Sequence, residues 1–163
     1  MTIEDINALD RDAFVDKLGW IFEHSPWVAE RAWGRRPFVS IDALHAAMMA
    51  EVDSATQEEQ LALLQAHPDL GQRAKLSAAS AQEQAGAGLD VLRSGDQERL
   101  RSMNASYRQK FGYPFLYAVK GHGGEDILVA LVVRMENDPE EEFHIAVFEV
   151  ARIARFRLEE VIA

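Results

Sequence analysis

Apolar residues recur at helical spacing along most of the chain, and capping residues precede several of these stretches. Asp10 is placed to cap a helix with one apolar face. The apolar members of that face are Phe14, Leu18, Ile21 and Phe22. Ser40 is placed to cap a second helix over residues 41–52, and Thr56 with Glu59 forms a capping box before a third. These stretches predict short helices joined by short connections.

Proline and glycine mark further helix boundaries. Ser25 precedes Pro26, which is the order of a cap residue and a first-turn proline. Gly34 stands where the helix that starts there should stop. Pro68 is expected to end the helix that follows the capping box, because a proline cannot continue the hydrogen-bond ladder.

The second half of the chain holds two clear helical patterns and two ambiguous apolar runs. Residues 96–111 repeat apolar side chains every three or four positions, and Asp138-Pro139 begins the longest predicted helix, which runs to the C-terminus. The runs 113–119 and 127–133 do not alternate with polar residues. We interpret them as buried helical segments or as an extended wall of a site, with a β-hairpin as the lesser alternative.

Composition and length place the chain among ordinary globular proteins. It has 163 residues, 48% of them hydrophobic, so residues 1–163 are expected to form one compact domain. We therefore predict an all-α fold of about eight to nine short helices with a long C-terminal helix.

Charge and cysteine content exclude several classes of function. With 17 Lys and Arg against 27 Asp and Glu, the formal net charge is −10, which argues against nucleic acid as the main partner. The absence of cysteine excludes disulfides, thiolate zinc sites and cysteine nucleophiles. No signal sequence stands out, and no apolar run approaches the roughly 20 residues of a membrane span. We expect a cytoplasmic protein with no membrane partner.

His67 is the first candidate for chemistry. It follows Leu64 and Leu63 by three and four residues, so it falls on the apolar face of its helix at the C-terminal end. Pro68 sets the direction in which the chain leaves that helix. A histidine in this place can act as an acid or base, or it can simply bond a carbonyl at the helix end. The local pattern leaves both possibilities open.

Glu83 lies in a segment rich in small residues. Ser80 and Glu83 have the spacing of a capping box, which would give the carboxylate a purely structural role. Alternatively, Ser80, Glu83 and Gln84 form a polar cluster that faces a pocket, where the small neighbours let a ligand approach closely. The sequence does not decide between these two interpretations.

Arg157 falls on the apolar stripe of the last helix. The other members of that stripe are Phe143, Ala146, Val147, Val150, Ala154 and Val161. An arginine on a core-facing stripe needs an anionic partner, because an unpaired buried charge is costly. That partner is either an internal carboxylate or a bound ligand carboxylate, which a guanidinium can hold with two hydrogen bonds.

Two pairs of residues have the spacing found in carboxylate-bridged metal sites. They are Asp42 with His45 and Glu141 with His144, each separated by three positions. Such sites need further inward-facing glutamates, which the pattern lacks, so we expect no metal. Glycine-rich nucleotide loops and the serine hydrolase motif are also missing from the sequence.

Five segments together resemble a known family. They are FEHSPWVAERAWGRRPF (22–38), HPDL (67–70), SAQEQAGAGL (80–89), MNASYRQKFGYPFLYAV (103–119) and EVARIARFRL (149–158). In this order and spacing they are similar to the 2-oxo-4-hydroxy-4-carboxy-5-ureidoimidazoline (OHCU) decarboxylases, and the resemblance covers nearly the whole chain. It implies an all-α homodimer that acts last on the route from urate to (S)-allantoin and needs no cofactor.

The resemblance also implies a set of site residues. His67 would be the catalytic acid or base, and Glu83 would assist it as a second catalytic residue. The substrate-binding residues would be Pro68, Ser80, Ala81, Gln82, Glu83, Gln84, Phe115, Leu116, Tyr117, Ala118, Val119 and Arg157. Two alternatives remain, namely a decarboxylase of a related ureido heterocycle and a non-catalytic acidic helical module that binds a basic partner.

Overall fold

The computed structural model describes residues 1–71, 77–89 and 94–163. Within these residues the chain forms nine α-helices and no β-strand, which confirms the all-α class. The helices are α1 (Ile3–Ala8), α2 (Arg11–Leu18), α3 (Trp27–Ala32), α4 (Ile41–Asp53), α5 (Gln57–Gln65), α6 (Ala78–Gly86), α7 (Ser94–Phe111), α8 (Gly124–Met135) and α9 (Pro139–Val161). A 3-10 turn, Trp33–Arg35, follows α3. None of these helices is long and apolar enough to cross a membrane.

Two compact units divide the chain. The first comprises Met1–Ala66 and Val150–Ala163, and the second comprises His67–Glu149. In the first unit α3 packs against α2 and α4, and in the second α7 packs against α8. The single domain over residues 1–163 stays a prediction.

Each unit buries its own set of large apolar side chains. Those of the first unit include Ile6, Phe14, Leu18, Ile21, Phe22, Leu44, Met48, Leu63, Leu64 and Leu158. Those of the second unit include Leu100, Tyr107, Tyr113, Phe115, Leu116, Ile127 and Leu131. Burial of this kind stabilises the folded chain by about 25 cal/mol for each Å² of apolar surface removed from water.

Three of the helix starts that the sequence predicts from a capping residue are confirmed. The side chain of Asp10 accepts a hydrogen bond from the Ala13 N–H at 2.8 Å, and Ser40 caps α4 in the same way. Thr56 and Glu59 form the predicted capping box of α5. The predicted helix over 41–52 is confirmed as α4.

Three local predictions near the N-terminus and in α6 are wrong in detail. Helix α2 ends at Leu18, so Ile21 and Phe22 lie beyond it, although both are buried. Helix α3 begins at Trp27, so Pro26 rather than Ser25 is its N-cap residue, and the Ser25 hydroxyl donates to the Glu23 carbonyl at 2.9 Å. The third correction concerns Ser80 and is given with the site below.

The two ambiguous apolar runs have different structures. Residues 127–133 lie within α8, whereas residues 114–119 belong to no helix or strand. Gly112, with φ of +88°, follows the last residue of α7, and Pro114 has no N–H to continue the helical ladder. The hairpin alternative is therefore wrong. The extended interpretation agrees with residues 114–119 and the helical one with 127–133, where Val129, Val132 and Val133 are exposed rather than buried. That residues 113–119 form the wall of a site stays a prediction.

Candidate active site

His67 lies just beyond the end of α5, and its side chain is buried. The helix ends at Gln65 with Ala66 as its C-cap residue, so Pro68 comes three residues after the last helical residue. His67 is 5% exposed. Because the imidazole is buried, the neighbouring protein atoms restrict the orientation of its ring. A fixed orientation suits an acid or base that must present one ring nitrogen in one direction.

Two amide side chains hold the segment that begins at His67. The N–H of Gly71 donates to Oε1 of Gln84 at 2.9 Å, and Nδ2 of Asn104 donates to the Leu70 carbonyl at 2.8 Å. Both amide side chains are buried, at 5% and 4% exposure. The segment after His67 is therefore tied to α6 and to α7.

Helix α6 presents three of its candidate residues on one side. Ser80 and Gln84 are buried, and Glu83 is half-buried, as expected for positions that share a helix face. Ala81 and Gln82 are exposed on the other side. Because Gln84 bonds the His67 segment, the structure joins the buried side of α6 to the segment that carries the candidate acid or base.

The capping-box alternative for Ser80 and Glu83 is wrong. Helix α6 begins at Ala78, and its N-cap residue is Ser77, whose hydroxyl accepts a hydrogen bond from the Ser80 N–H at 3.1 Å. Ser80 therefore lies within the first turn instead of before it. Glu83 therefore does not cap the start of α6.

The candidate wall at 115–119 is anchored through its backbone. Nη1 of Arg134 donates to the Leu116 carbonyl, and the N–H of Ala118 donates to Oε1 of Glu149 at 3.1 Å. Arg134 also lies over the ring of Phe115, with Cζ 4.4 Å from the ring centre. Among the remaining candidates, Val119 is buried and Tyr117 is half-buried.

The buried carboxylate of Glu142 accepts hydrogen bonds from three side chains, one of which is the Arg134 that binds the candidate wall. Glu142 is 0% exposed, and Nε of Arg134 donates to its two oxygens at 3.0 and 2.9 Å. The Tyr107 hydroxyl and Nδ2 of Asn137 also donate to it. Burial, strengthened by the hydrogen bond to Glu142, raises the pKa of Tyr107 far above its ordinary value, so this hydroxyl keeps its proton and donates at neutral pH.

Arg157, in the first unit, has the anionic partner that its burial requires. Its Nη2 donates to Oε2 of Glu23 at 2.8 Å, and its Nη1 lies 3.3 Å from the carbonyls of Trp20 and Ile21. The predicted burial of the stripe is confirmed at Arg157 and at Ala146, Val150 and Ala154. The internal carboxylate that the sequence left open is thus Glu23, and the role of Arg157 toward substrate stays a prediction.

In the first pair with metal-site spacing, Asp42 and His45 have other partners, and in the second Glu141 and His144 are exposed. Asp42 forms an ion pair with Arg155, and Nε2 of His45 is 2.7 Å from the Ala151 carbonyl. Over the part of the chain that the structure describes, no three His, Asp or Glu side chains are grouped closely enough to hold a metal ion.

Sequence reasoning missed the buried acids on α9. Glu142 and Glu149 lie on the face that carries Ala146 and Val150, at the same helical spacing that singled out Arg157. The signal was a carboxylate within an apolar stripe. This signal was not recognised because α9 begins with several glutamates, most of which are exposed.

Comparison with known proteins identifies relatives over nearly the whole chain. A family model described as OHCU decarboxylase matches residues 7–159. A 2-oxo-4-hydroxy-4-carboxy-5-ureidoimidazoline decarboxylase from Haloferax volcanii is 47% identical over 160 residues, which covers 98% of this chain and 95% of that protein. A uric acid degradation bifunctional protein from Bacillus subtilis is 44% identical over 161 residues. This match covers 99% of this chain and 33% of that longer protein.

Solved structures give the same picture. The crystal structure of an (S)-allantoin synthase superposes with a TM-score of 0.79 at 33% identity, covering 99% of this chain and 54% of that one. An OHCU decarboxylase crystallised in the presence of (S)-allantoin shares the fold, with a TM-score of 0.68 at 22% identity over 82% of this chain and 89% of that one. With the family model matching most of its length, the chain belongs to the OHCU decarboxylase family.

Proposed function

We propose that this protein is a carboxy-lyase that converts OHCU to (S)-allantoin in the breakdown of urate, without a cofactor. The structural observation that carries the proposal is the hydrogen bond between Gly71 and Gln84. It ties the segment of buried His67 to the helix that presents Ser80 and Glu83, in a chain that carries the OHCU decarboxylase family's sequence signature.

The chemistry requires few protein groups. Loss of CO2 from a ring carbon beside an imine or carbonyl leaves a carbanion that the heterocycle itself delocalises, so no external electron sink is needed. The protein must hold the leaving carboxylate out of the ring plane and stabilise the developing negative charge. It must then deliver one proton to one face of the carbanion.

The candidate residues can be given these tasks. His67 donates the proton, and Glu83 orients the imidazole or binds the ureido group. Ser80 and Gln84 bind polar groups of the substrate. For Arg157, the role of binding an anionic group rests on the family resemblance and on the preference of guanidinium for carboxylates. A fixed donor on one side of the ring explains why a single enantiomer would form.

Pro68 lines the proposed pocket. Residues 115–119 form its apolar wall and offer backbone hydrogen bonds to the substrate. Ala81 and Gln82 remain proposed substrate contacts by resemblance, although their exposure on α6 gives them the weakest structural support. The homodimer and the cytoplasmic location that the family resemblance and the sequence suggest are also proposals. Light scattering of the purified protein tests the first of these.

Release of CO2 tests the proposed reaction. OHCU is generated in the cuvette from urate with urate oxidase and hydroxyisourate hydrolase, and CO2 release is followed with and without this protein. We expect a rate well above the spontaneous decay, and a large loss in Glu83→Gln. Arg101→Met, which removes an exposed arginine of α7, serves as the control and should keep wild-type turnover. A folded protein that leaves the spontaneous rate unchanged would contradict the proposal and favour a related heterocycle or a binding role.

A further inference from the structure

The second unit holds the candidate wall at two backbone points, both with buried charged side chains. Arg134, in the last turn of α8, binds the Leu116 carbonyl, and Glu149, on α9, binds the Ala118 N–H. We propose that Arg134 and Glu149 are positioning residues that fix the substrate-facing segment 115–119, and that Glu142 fixes Arg134. This inference rests on the proposed function, because it assigns these residues a purpose in that reaction.

Arg134 is suited to this task by the shape of its guanidinium. One edge of the group faces the carboxylate of Glu142, with Nε bonded to both oxygens and Nη2 2.8 Å from Oε2. The remaining terminal nitrogen, Nη1, is left to bind Leu116. The flat face covers the ring of Phe115. One side chain therefore fixes the backbone of one wall residue and the ring of its neighbour, which a lysine cannot do.

The carboxylate of Glu142 fixes the orientation of the Arg134 guanidinium. Its two oxygens accept from Arg134 together with the Tyr107 hydroxyl and the Asn137 amide, so the carboxylate is held from three directions. The ring of Tyr107 in turn packs edge-on against Phe115, with 5.4 Å between the ring centres. The pair is thus linked to the wall through Leu116 and through the aromatic cluster.

Glu149 supplies the second anchor from the same helix face. It lies seven residues after Glu142, which returns the helix to nearly the same direction. Glu149 is 4% exposed, and its carboxylate accepts a hydrogen bond from the Ala118 N–H, two residues along the candidate wall from Leu116. A backbone amide bound to a buried carboxylate is a charge-assisted hydrogen bond, which resists displacement.

Buried charges are a costly way to obtain stability alone. Replacing a buried ion pair by well-packed neutral residues is often neutral or stabilising. What the charged pair adds is direction, since a guanidinium fork fixes angles as well as distance. If the wall contacts the substrate, a fixed wall keeps the ring in the orientation that presents one face to the proton donor. Loosening the wall should therefore weaken substrate binding and reduce the handedness of the product formed per enzymatic turnover.

The test separates positioning from folding with two independent sets of variants. Arg134→Met with Glu142→Gln removes both charges and keeps an oxygen that can accept from Tyr107, but it lacks the donor to Leu116. Glu149→Gln keeps an acceptor for the Ala118 N–H, whereas Glu149→Met does not. Arg101→Met, on the exposed side of α7, is the control.

We expect the paired variant and Glu149→Met to raise KM about tenfold and to lower the enantiomeric excess per turnover, at a folded fraction equal to that of the wild type. Glu149→Gln should keep a KM near the wild-type value. A folded paired variant with wild-type KM and handedness would overturn the inference. A paired variant that only lowers the folded fraction, with a wild-type KM for the protein that does fold, would also overturn it. If the paired variant does not fold, the two Glu149 variants decide, and equal KM values for them overturn it. A wild-type protein without turnover would instead refute the proposed function.

Discussion

The guanidinium of Arg157 and the carboxylate of Glu23 form a buried ion pair within the first unit. Nη2 lies 2.8 Å from Oε2, and the two side chains are 2% and 1% exposed. The same guanidinium also lies over the ring of Trp20, at 5.8 Å from its centre. Each charge is compensated by the other, so neither can be removed without leaving its partner in a poorly solvated place.

Arg157→Met should therefore destabilise the protein by about 3–5 kcal/mol, because it removes the guanidinium that faces the buried Glu23 carboxylate. The double variant with Glu23→Met should recover most of that loss, since both charges of the buried pair are then removed. Urea unfolding of the single and double variants measures both. A double variant as unstable as the single one would contradict the pairing.

Two buried tyrosines of the second unit should respond differently to loss of the hydroxyl. The Tyr107 hydroxyl donates to Glu142, whereas Oη of Tyr113 has no hydrogen-bond partner among the described residues. Tyr107→Phe should lower the free energy of unfolding by about 1.5–3 kcal/mol, and Tyr113→Phe should leave it unchanged or raise it by up to about 1 kcal/mol. Chemical denaturation of both variants checks this, and the reverse order would show that the two environments are misassigned.

Tyr113 should also make the protein sensitive to alkali. Burial, together with the nearby Glu142 carboxylate, raises the pKa of Tyr113 from 10.0 to about 12. Because the folded-state pKa is above the unfolded one, this group's contribution to stability is complete below about pH 10 and is lost as the pH rises toward 12. Urea midpoints measured between pH 8 and about pH 11 should fall less steeply in Tyr113→Phe than in the wild type. Equal slopes in the two proteins would count against the raised pKa.

Gly71 should be poorly replaceable. Its φ is +80°, and a Cβ atom built there would lie 2.7 Å from Cδ2 of Leu100. Gly88 has a similar φ of +76° but no atom within 4 Å of such a Cβ, so Gly88→Ala measures the backbone cost alone. That cost is about 1–2 kcal/mol, and Gly71→Ala should exceed it because the side chain of Leu100 must also shift. Thermal unfolding of the two variants compares them, and equal losses would mean that the contact with Leu100 is unimportant.

Features set by neighbouring residues could be predicted from the sequence. Asp10, Ser40 and Thr56 cap their helices because each side chain reaches an N–H only three positions away. The same local rule failed at Ser80, where Ser77 occupies the equivalent position three residues earlier. Two serines at this spacing compete for one cap, and the choice depends on where the preceding chain enters the helix.

The apolar runs show what composition alone leaves undecided. Residues 113–119 and 127–133 have similar β-prone compositions, yet only the second is helical. The difference lies in their surroundings, since Gly112 just before the first run and Pro114 within it interrupt the helical ladder. Anchors far along the chain, at Arg134 and Glu149, then fix its path.

The partners of the buried charged residues could not be predicted from the sequence. The apolar stripe predicted that Arg157 would be buried, but its partner Glu23 lies 134 residues away. The pair of Arg134 and Glu142 was missed for a related reason, because an acidic first turn of α9 is also what a helix N-terminus favours. Periodicity shows which face is buried, whereas the partner depends on how distant segments come together.

The handedness of the product tests the central claim, that this chain decarboxylates OHCU with His67 as the proton donor. OHCU generated from urate decays spontaneously to racemic allantoin, so circular dichroism that grows in the presence of the protein reports enzymatic protonation alone. We expect a strong signal of (S)-allantoin with the wild type and with His144→Asn, which alters an exposed histidine. His67→Asn should fold normally and give no signal. A single-handed product formed at the wild-type rate by His67→Asn would contradict this assignment, and no signal from the folded wild type would contradict the reaction itself.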